Sequence, residues 1–576
     1  MIMKKLYILI SGLMLALPCL RAQTLDPTVE VSRSYEGKLM EVHKPALTMA
    51  VPDSVLRFDL NFDYSVFDSP YKGSYEFNPY AISMKPAVAH RRPETFYLRA
   101  GAGYTFHPEF DMVWSPVLGK TFGVDVYAMN RSYVGKYLRM NPSSGSTTWK
   151  GRDVSSQAGA SFHWDWRKSR LDVGAGYHGL QRMSLSGSDN NLNAVDFNVR
   201  AKSKTDWPAD FLYDFSLNYS VAKDVMTAAG TSRNSLAEHN ADIFFRFGPV
   251  SRTSHVLYFD AAMMLASYSG YISTAISEFS VVPHYVFRYQ RLKVDAGIRL
   301  AKLMRSDGHV SMYKTREQVI YPDIRIDVEA IKDMMMLYLR IGGGNKVNTY
   351  SSLLADNHYL TMDSGCGQYP LLDTTVEKMS VIFGAEGSLS SAFRYHFRAG
   401  HVNYKNSLLN AVWVDAPEGT DPRCLVGVGY APYKKWFVSM DWTYRSEVIR
   451  CEGELAYNAV WGEDFTLDAA TGLLRPAALK GDVSVGYDWK KRVRAGVGCA
   501  FSTAMKGYVP VVQDKTRVDA FSVPGYADLY VDAEYVAGSR LVFWAKLGNL
   551  LDMPVMYVPM YAEKGVRFTA GIALNF

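Results

Sequence analysis

Three carboxylates near the end of the chain come closest to a chemical constellation. Asp528, Asp532 and Glu534 recur at even spacing, so the two-residue side-chain period of a strand places them on one face. Lys546 and Arg567 fall on the same side of the next two extended segments. Opposite charges on neighbouring strands attract. This charged wall therefore has two readings, a guide for a charged solute or a set of ties between strands.

Little else is arranged for catalysis. His163, His178, His284 and His396 occur singly on strand-like stretches, with neither H-E-x-x-H nor paired metal spacing. No G-x-S-x-G organises the serines into a nucleophile. Gly342-Gly343-Gly344 is followed by no helix pattern and no G-K-[ST], so it reads as a strand end rather than a phosphate cradle. Cys366, Cys424, Cys451 and Cys499 are scattered and form no C-x-x-C. An enzyme, a metal site and a bound cofactor are not expected.

The elements that position these residues are alternating strands. Phe96, Leu98, Ala100, Ala102, Tyr104 and Phe106 share one face against Tyr97, Arg99, Gly101, Gly103 and Thr105. Phe211 to Val221 and Leu171 to Tyr177 repeat the scheme, with Asp214, Ser216, Asn218 and Asp172 on the other side. The lipid-facing strands of a barrel look like this, apolar outside and polar inside. Mean hydropathy of −0.11 does not argue otherwise, because only alternate residues meet lipid. Tyr, Trp and Phe make up 13% of the chain, enough to supply girdles at two membrane interfaces. No segment of about 18 uninterrupted apolar residues offers a helical span. The formal charge of +6 implies no nucleic-acid partner.

The C-terminal fifty residues carry a more specific signal. An acidic strand, Tyr526 to Val536, precedes Leu541 to Asp552 with its Asn549-Leu550-Leu551-Asp552 end, then a Pro/Met/Tyr-rich loop and a strand ending at Phe576. This resembles the terminus of TonB-dependent receptors. The resemblance implies an all-β fold, a large transmembrane antiparallel barrel of about 22 strands in the cell outer membrane, whose lumen the family fills with a plug. It also implies insertion by the barrel-assembly machinery, with Phe568, Ile572, Leu574 and Phe576 as the insertion signal, and outer-membrane lipids as surroundings.

Before the barrel the pattern differs. Lys4 and Lys5 precede the apolar run Leu6 to Leu17, and Leu20-Arg21-Ala22 before Gln23 fits a signal-peptidase site, giving a signal peptide over 1–22 cut between Ala22 and Gln23. Residues 23–93 carry Pro27, Pro45, Pro52, Pro70, Pro79, Pro86 and Pro93 and read as a short, irregular, periplasmic or lumenal segment. That is too little chain for the family's plug. Residues 94–576 form the barrel. Short breaks at Gln290-Arg291, Trp489 to Arg492 and Ala537 to Arg540 read as periplasmic turns, and Met140 to Gly151, Asn458 to Lys480 and Thr503 to Gly525 as long extracellular loops.

A wide barrel without a plug would leak. The expected remedy is the N-terminal segment, with inward-folded loops or a partner as alternatives. The expected function is a plug-less transport or channel protein. The alternative is a non-transporting scaffold for a lipoprotein or a periplasmic assembly complex.

Overall fold

The computed structural model describes residues 95–576 apart from 105, 142–144, 167, 184–188, 204–210, 228–232, 250–254, 307–318, 361–371, 416–422, 462–471, 511–517, 559–560 and 564. The signal peptide, its cleavage pair Ala22 and Gln23 and the proline-rich segment lie outside the described residues.

Among the described residues alternation produces a closed, antiparallel ring of 22 strands, and two short segments of the last long connection, Val555–Val558 and Tyr561–Glu563, extend the same sheet. The first strand, Phe96–Tyr104, pairs along its length with the last, Arg567–Asn575, from Tyr97 opposite Asn575 to Tyr104 opposite Phe568. That pairing abolishes the free edges an open sheet would expose. The preceding strands, Tyr526–Val536 and Leu541–Gly548, join in register with Asp532 opposite Lys546.

The short breaks are tight hairpins on one rim. Lys490 and Lys491 both have positive φ, 53° and 58°, at the centre of the turn that the Arg492 amide closes on the Trp489 carbonyl, a twist that suits the hairpin between strands Leu479–Trp489 and Val493–Ser502. The other rim corrects the sequence reading. Met140 to Gly151 is mostly strand, because Phe122–Asn141 and Gly145–Asp165 continue to Asn141 opposite Gly145. Within Thr503 to Gly525 lies a separate hairpin, Met505–Pro510 with Val518–Val523. Asn458 still belongs to Ile449–Trp461, and strand resumes at Leu479. Crossing a bilayer takes about 9–11 residues of tilted strand, so the 23-residue strands Phe393–Asp415 and Arg423–Arg445 rise well past it. Hydrogen bonds within hairpins satisfy the backbone there, and this kept polar, loop-like sequence in strand form.

Polarity divides across the wall as the alternation requires. Phe211, Tyr219, Ile243 and Phe245 are exposed on the outside. Inside, Arg200 pairs with Asp214 and Arg246 with Asp260, each at 2.6 Å. Among the described residues no helix is long and apolar enough to cross a membrane. Gly101 faces the lumen because Trp544 lies across it: a Cβ there would stand 2.3 Å from the indole Cζ2. Arg99 stacks 4.0 Å from the centre of the same ring.

Candidate functional site

The long-loop mouth of the barrel is narrowed by its own chain. Strand Met335–Val347 leads into a short helix, Tyr350–Asp356, and strand Thr374–Ser388 leaves the same connection. Thr349 caps the helix by accepting from the Ser352 amide. The segment then turns inward, onto lumen-facing positions of consecutive strands. Leu353, Leu354, Leu360 and Leu372 are buried against Leu180, Leu192, Ala222, Leu236, Ala266, Ile276 and Leu303. On their own strands Leu180, Ala222 and Leu236 share the parity of Arg182, Asp224 and Glu238, and Leu303 shares that of Arg305, opposite to the lipid-facing set. Small and aliphatic residues on the polar side of a barrel strand have no reason to be there unless something covers them.

Polar anchors fix the segment in one position. The Tyr350 hydroxyl donates to Asp224 Oδ2 at 2.6 Å, while the Asn191 amide donates to Oδ1 at 2.9 Å. Ser351 Oγ donates to Glu238 at 2.6 Å. Arg182, wholly buried, donates to the Leu360 carbonyl at 3.2 Å and lies 4.9 Å from the centre of the Tyr359 ring. That ring stacks on Tyr561 at 3.9 Å, and His358 Nδ1 meets Asp153 at 2.8 Å. At the far end Asp373 is held by Arg305 at 3.2 Å and by Asn406. Burial raises the Asp373 carboxyl above the usual carboxylate range, with Arg305 opposing. Burial, then the Asp224 carboxylate, pushes the Tyr350 hydroxyl far up, so it stays a donor.

The charged wall expected near the C-terminus divides into separate groups. Asp528 and Arg567 meet at 2.5 Å, joined by Tyr557, whose hydroxyl donates to Asp528 at 2.7 Å, and by Glu563 on the other side of the guanidinium. The Asn549 amide also donates to Asp528, so the Asn-Leu-Leu-Asp turn is tied to this pair. Asp532 stands opposite Lys546, whose Nζ lies 5.6 Å over the Tyr530 ring. Glu534 pairs instead with Arg494 at 3.4 Å. Phe568, Ile572 and Phe576 are exposed on the outer face, with Leu574 half-buried between them.

Sequence reasoning missed other lumenal groups. His284, which reads as isolated, sits between Asp295 at 2.9 Å and Asp260 at 3.5 Å and stacks on Tyr258. Its partners lie on neighbouring strands, and only register could have brought them together. A recess of about 640 Å³ in the lower wall is lined by His396, Asp441, Glu452, Glu454, Asp482 and Tyr530. Among the described residues no group of three or more His, Cys, Asp and Glu side chains is placed to hold a metal. The stretch from Ser352 onward begins in the partly buried helix Tyr350–Asp356, and 361–371 lie outside the described residues.

A closed 22-strand ring with an apolar outer band and an ion-paired lumen has the fold of the transmembrane barrels of TonB-dependent receptors, an outer-membrane architecture. Among solved structures the chain is similar to a point mutant of the ferric enterobactin receptor PfeA from Pseudomonas aeruginosa, with 10% identity over 84% of this chain and 80% of that one, at a TM-score of 0.59. It is similar to the copper transporter OprC, at 10% identity, 84% and 80% coverage and a TM-score of 0.58. The FrpB iron transporter from Neisseria meningitidis (F3-3 variant) shares 8% identity over 84% of this chain and 82% of that one, at a TM-score of 0.59. No protein-family model matches the sequence, and no curated protein does.

Proposed function

We propose that this chain is a receptor-like transport or channel barrel of the outer membrane that works without the family's plug, its lumen narrowed at the extracellular mouth by the inward-folded segment around Tyr350–Asp356. The observation that carries this reading is the packing of Leu353, Leu354 and Leu360 on the lumenal face of the wall. A solute would meet the ion pairs of the wall and the recess near His396 and Asp441 below that constriction. The N-terminal segment or a partner would add to the same closure.

The reading is tested by conductance. Replacing residues 350–360 with a glycine-serine linker of equal length should raise single-channel conductance and solute flux in liposomes several-fold. Unchanged conductance in a correctly closed barrel would remove the segment as the constriction. One observation favours the scaffold alternative: a mouth segment held by so many buried bonds is built to stay shut. Purification from native membranes with a stoichiometric lipoprotein or periplasmic partner, together with no flux, would establish that reading instead.

A further inference from the structure

The outer face of the barrel carries a group of cations that neither the ion pairs of the lumen nor the mouth segment uses. On strands Phe122–Asn141 and Gly145–Asp165, Phe122 stands opposite Trp164, Val134 opposite Arg152 and Lys136 opposite Lys150. All six share one parity, and all are exposed. The alternate residues Tyr133 and Tyr137 are buried, and Asp153 turns to His358 in the lumen. Lys136, Lys150 and Arg152 therefore point outward.

Their height is set by strand geometry. Phe122 and Trp164, stacked at 5.7 Å, mark the lower aromatic girdle. With a rise of about 3.4 Å per residue and a tilt of roughly 40°, the Val134/Arg152 row stands about 31 Å above that girdle and the Lys136/Lys150 row about 36 Å. The apolar band of such a barrel is about 25 Å tall, and a bilayer with its headgroups reaches roughly 40–45 Å. The three cations thus sit in the headgroup layer on the long-loop side.

Their mutual placement needs an anion. Two lysines directly across a strand pair repel each other, and Arg152 is the diagonal neighbour of Lys136, about 7–8 Å away in an antiparallel pair. Neither lysine nor the arginine has an ion-pair partner among the described residues, and the adjoining outer positions Gln181 and Met183 supply no carboxylate. A guanidinium fork flanked by two ammonium groups suits a phosphate, which offers several oxygens to one site. We propose that Lys136, Lys150 and Arg152 form an outer-face docking site for the phosphate of an outer-leaflet lipid headgroup. This rests on the membrane placement of the barrel and is independent of whether solute passes through it.

The test is native mass spectrometry of the full-length barrel purified in mild detergent, with phosphorylated lipid counted per barrel. The Lys136→Gln/Lys150→Gln/Arg152→Gln variant should retain at least tenfold less phosphorylated lipid, at the same heat-modifiable gel shift that reports a closed barrel. A Lys136→Arg/Lys150→Arg variant should retain it as the natural chain does. In a second arm the natural chain, reconstituted in vesicles, should enrich a phosphorylated lipid over the same lipid with its phosphate removed. Equal retention by the triple variant would overturn the proposal, as would equal enrichment of the dephosphorylated lipid. Displacement of the lipid by millimolar inorganic phosphate would assign the site to a free anion and overturn the lipid as its occupant.

Discussion

Tyr350 and Asp224 lie 126 positions apart in the chain and 2.6 Å apart in the barrel, and their hydrogen bond ties the mouth segment to the wall. Both groups are fully buried. A hydrogen bond to a charged partner contributes about 1.5–3 kcal/mol, more when its loss strands a buried carboxylate. Tyr350→Phe should therefore release the segment without opening the ring. Limited proteolysis should cut within 350–373 at least tenfold faster, while the heat-modifiable gel shift stays unchanged. Equal cleavage rates would show that the leucine contacts alone hold the segment.

The same segment should respond to pH through Asp373. Burial raises its carboxyl when docked, so the docked state binds the proton more readily than the released one. By linkage, docking strengthens as pH falls through the raised value towards the ordinary carboxylate range, and that gain is lost as pH rises back through it. Conductance, or protease sensitivity within 350–373, should accordingly be lower at pH 5 than at pH 7.5. Asp373→Asn should flatten that dependence. A dependence of the opposite sign would mean that Arg305 outweighs burial.

How much of this was legible in the sequence follows from the range of the forces. Alternation is a local signal, so the faces of Phe211 to Val221 and of the closing strand were readable directly, and with them the barrel. Register is not local. Asp528 and Arg567 were expected on one face and do meet, but Glu534 took Arg494 from a neighbouring strand instead. His284 looked solitary for the same reason. The mouth segment was hidden because Tyr350–Asp356 is a seven-residue helix whose apolar side is covered by residues from distant strands. One clue was present: Leu180, Leu192, Leu236 and Ile276 occupy positions whose parity demands a polar lumen. Apolar residues on the wrong face of several adjacent strands indicate that part of the chain covers them.

Arg567 should matter to the final hairpin out of proportion to its exposure. It holds both Asp528 and Glu563, and burial raises the Glu563 carboxyl even with the guanidinium beside it. Removing one member of a buried ion cluster typically costs about 3–5 kcal/mol, because the partners keep their desolvation without compensation. Arg567→Met should lower the urea midpoint of the heat-modifiable band. Adding Asp528→Asn and Glu563→Gln should recover most of the loss, since the neutral trio no longer needs a cation. Failure of the triple variant to recover would place the effect in packing by the arginine stem.

Phe576 offers a way to separate directing insertion from closing the ring. Its carbonyl accepts from the Thr95 and Phe96 amides at 2.6 and 3.0 Å, and its own amide donates to Phe96 at 2.9 Å. Its ring lies 6.2 Å from that of Phe96 and 5.5 Å from the Arg540 guanidinium, on an exposed outer edge. Phe576→Ala keeps every one of those backbone bonds and removes only the ring. If closure were its main role, folding into lipid vesicles and folding by the barrel-assembly machinery would slow equally. The outward placement of Phe568, Ile572 and Phe576 gives an assembly partner a surface to grip, so Phe576→Ala should slow machinery-assisted insertion several-fold and leave spontaneous folding within a factor of about two. Aromatic pairs contribute only about 0.5–1.5 kcal/mol beyond burial, so a small change in the stability of the finished barrel is compatible with that outcome. Equal slowing in both assays would assign the residue to ring closure alone.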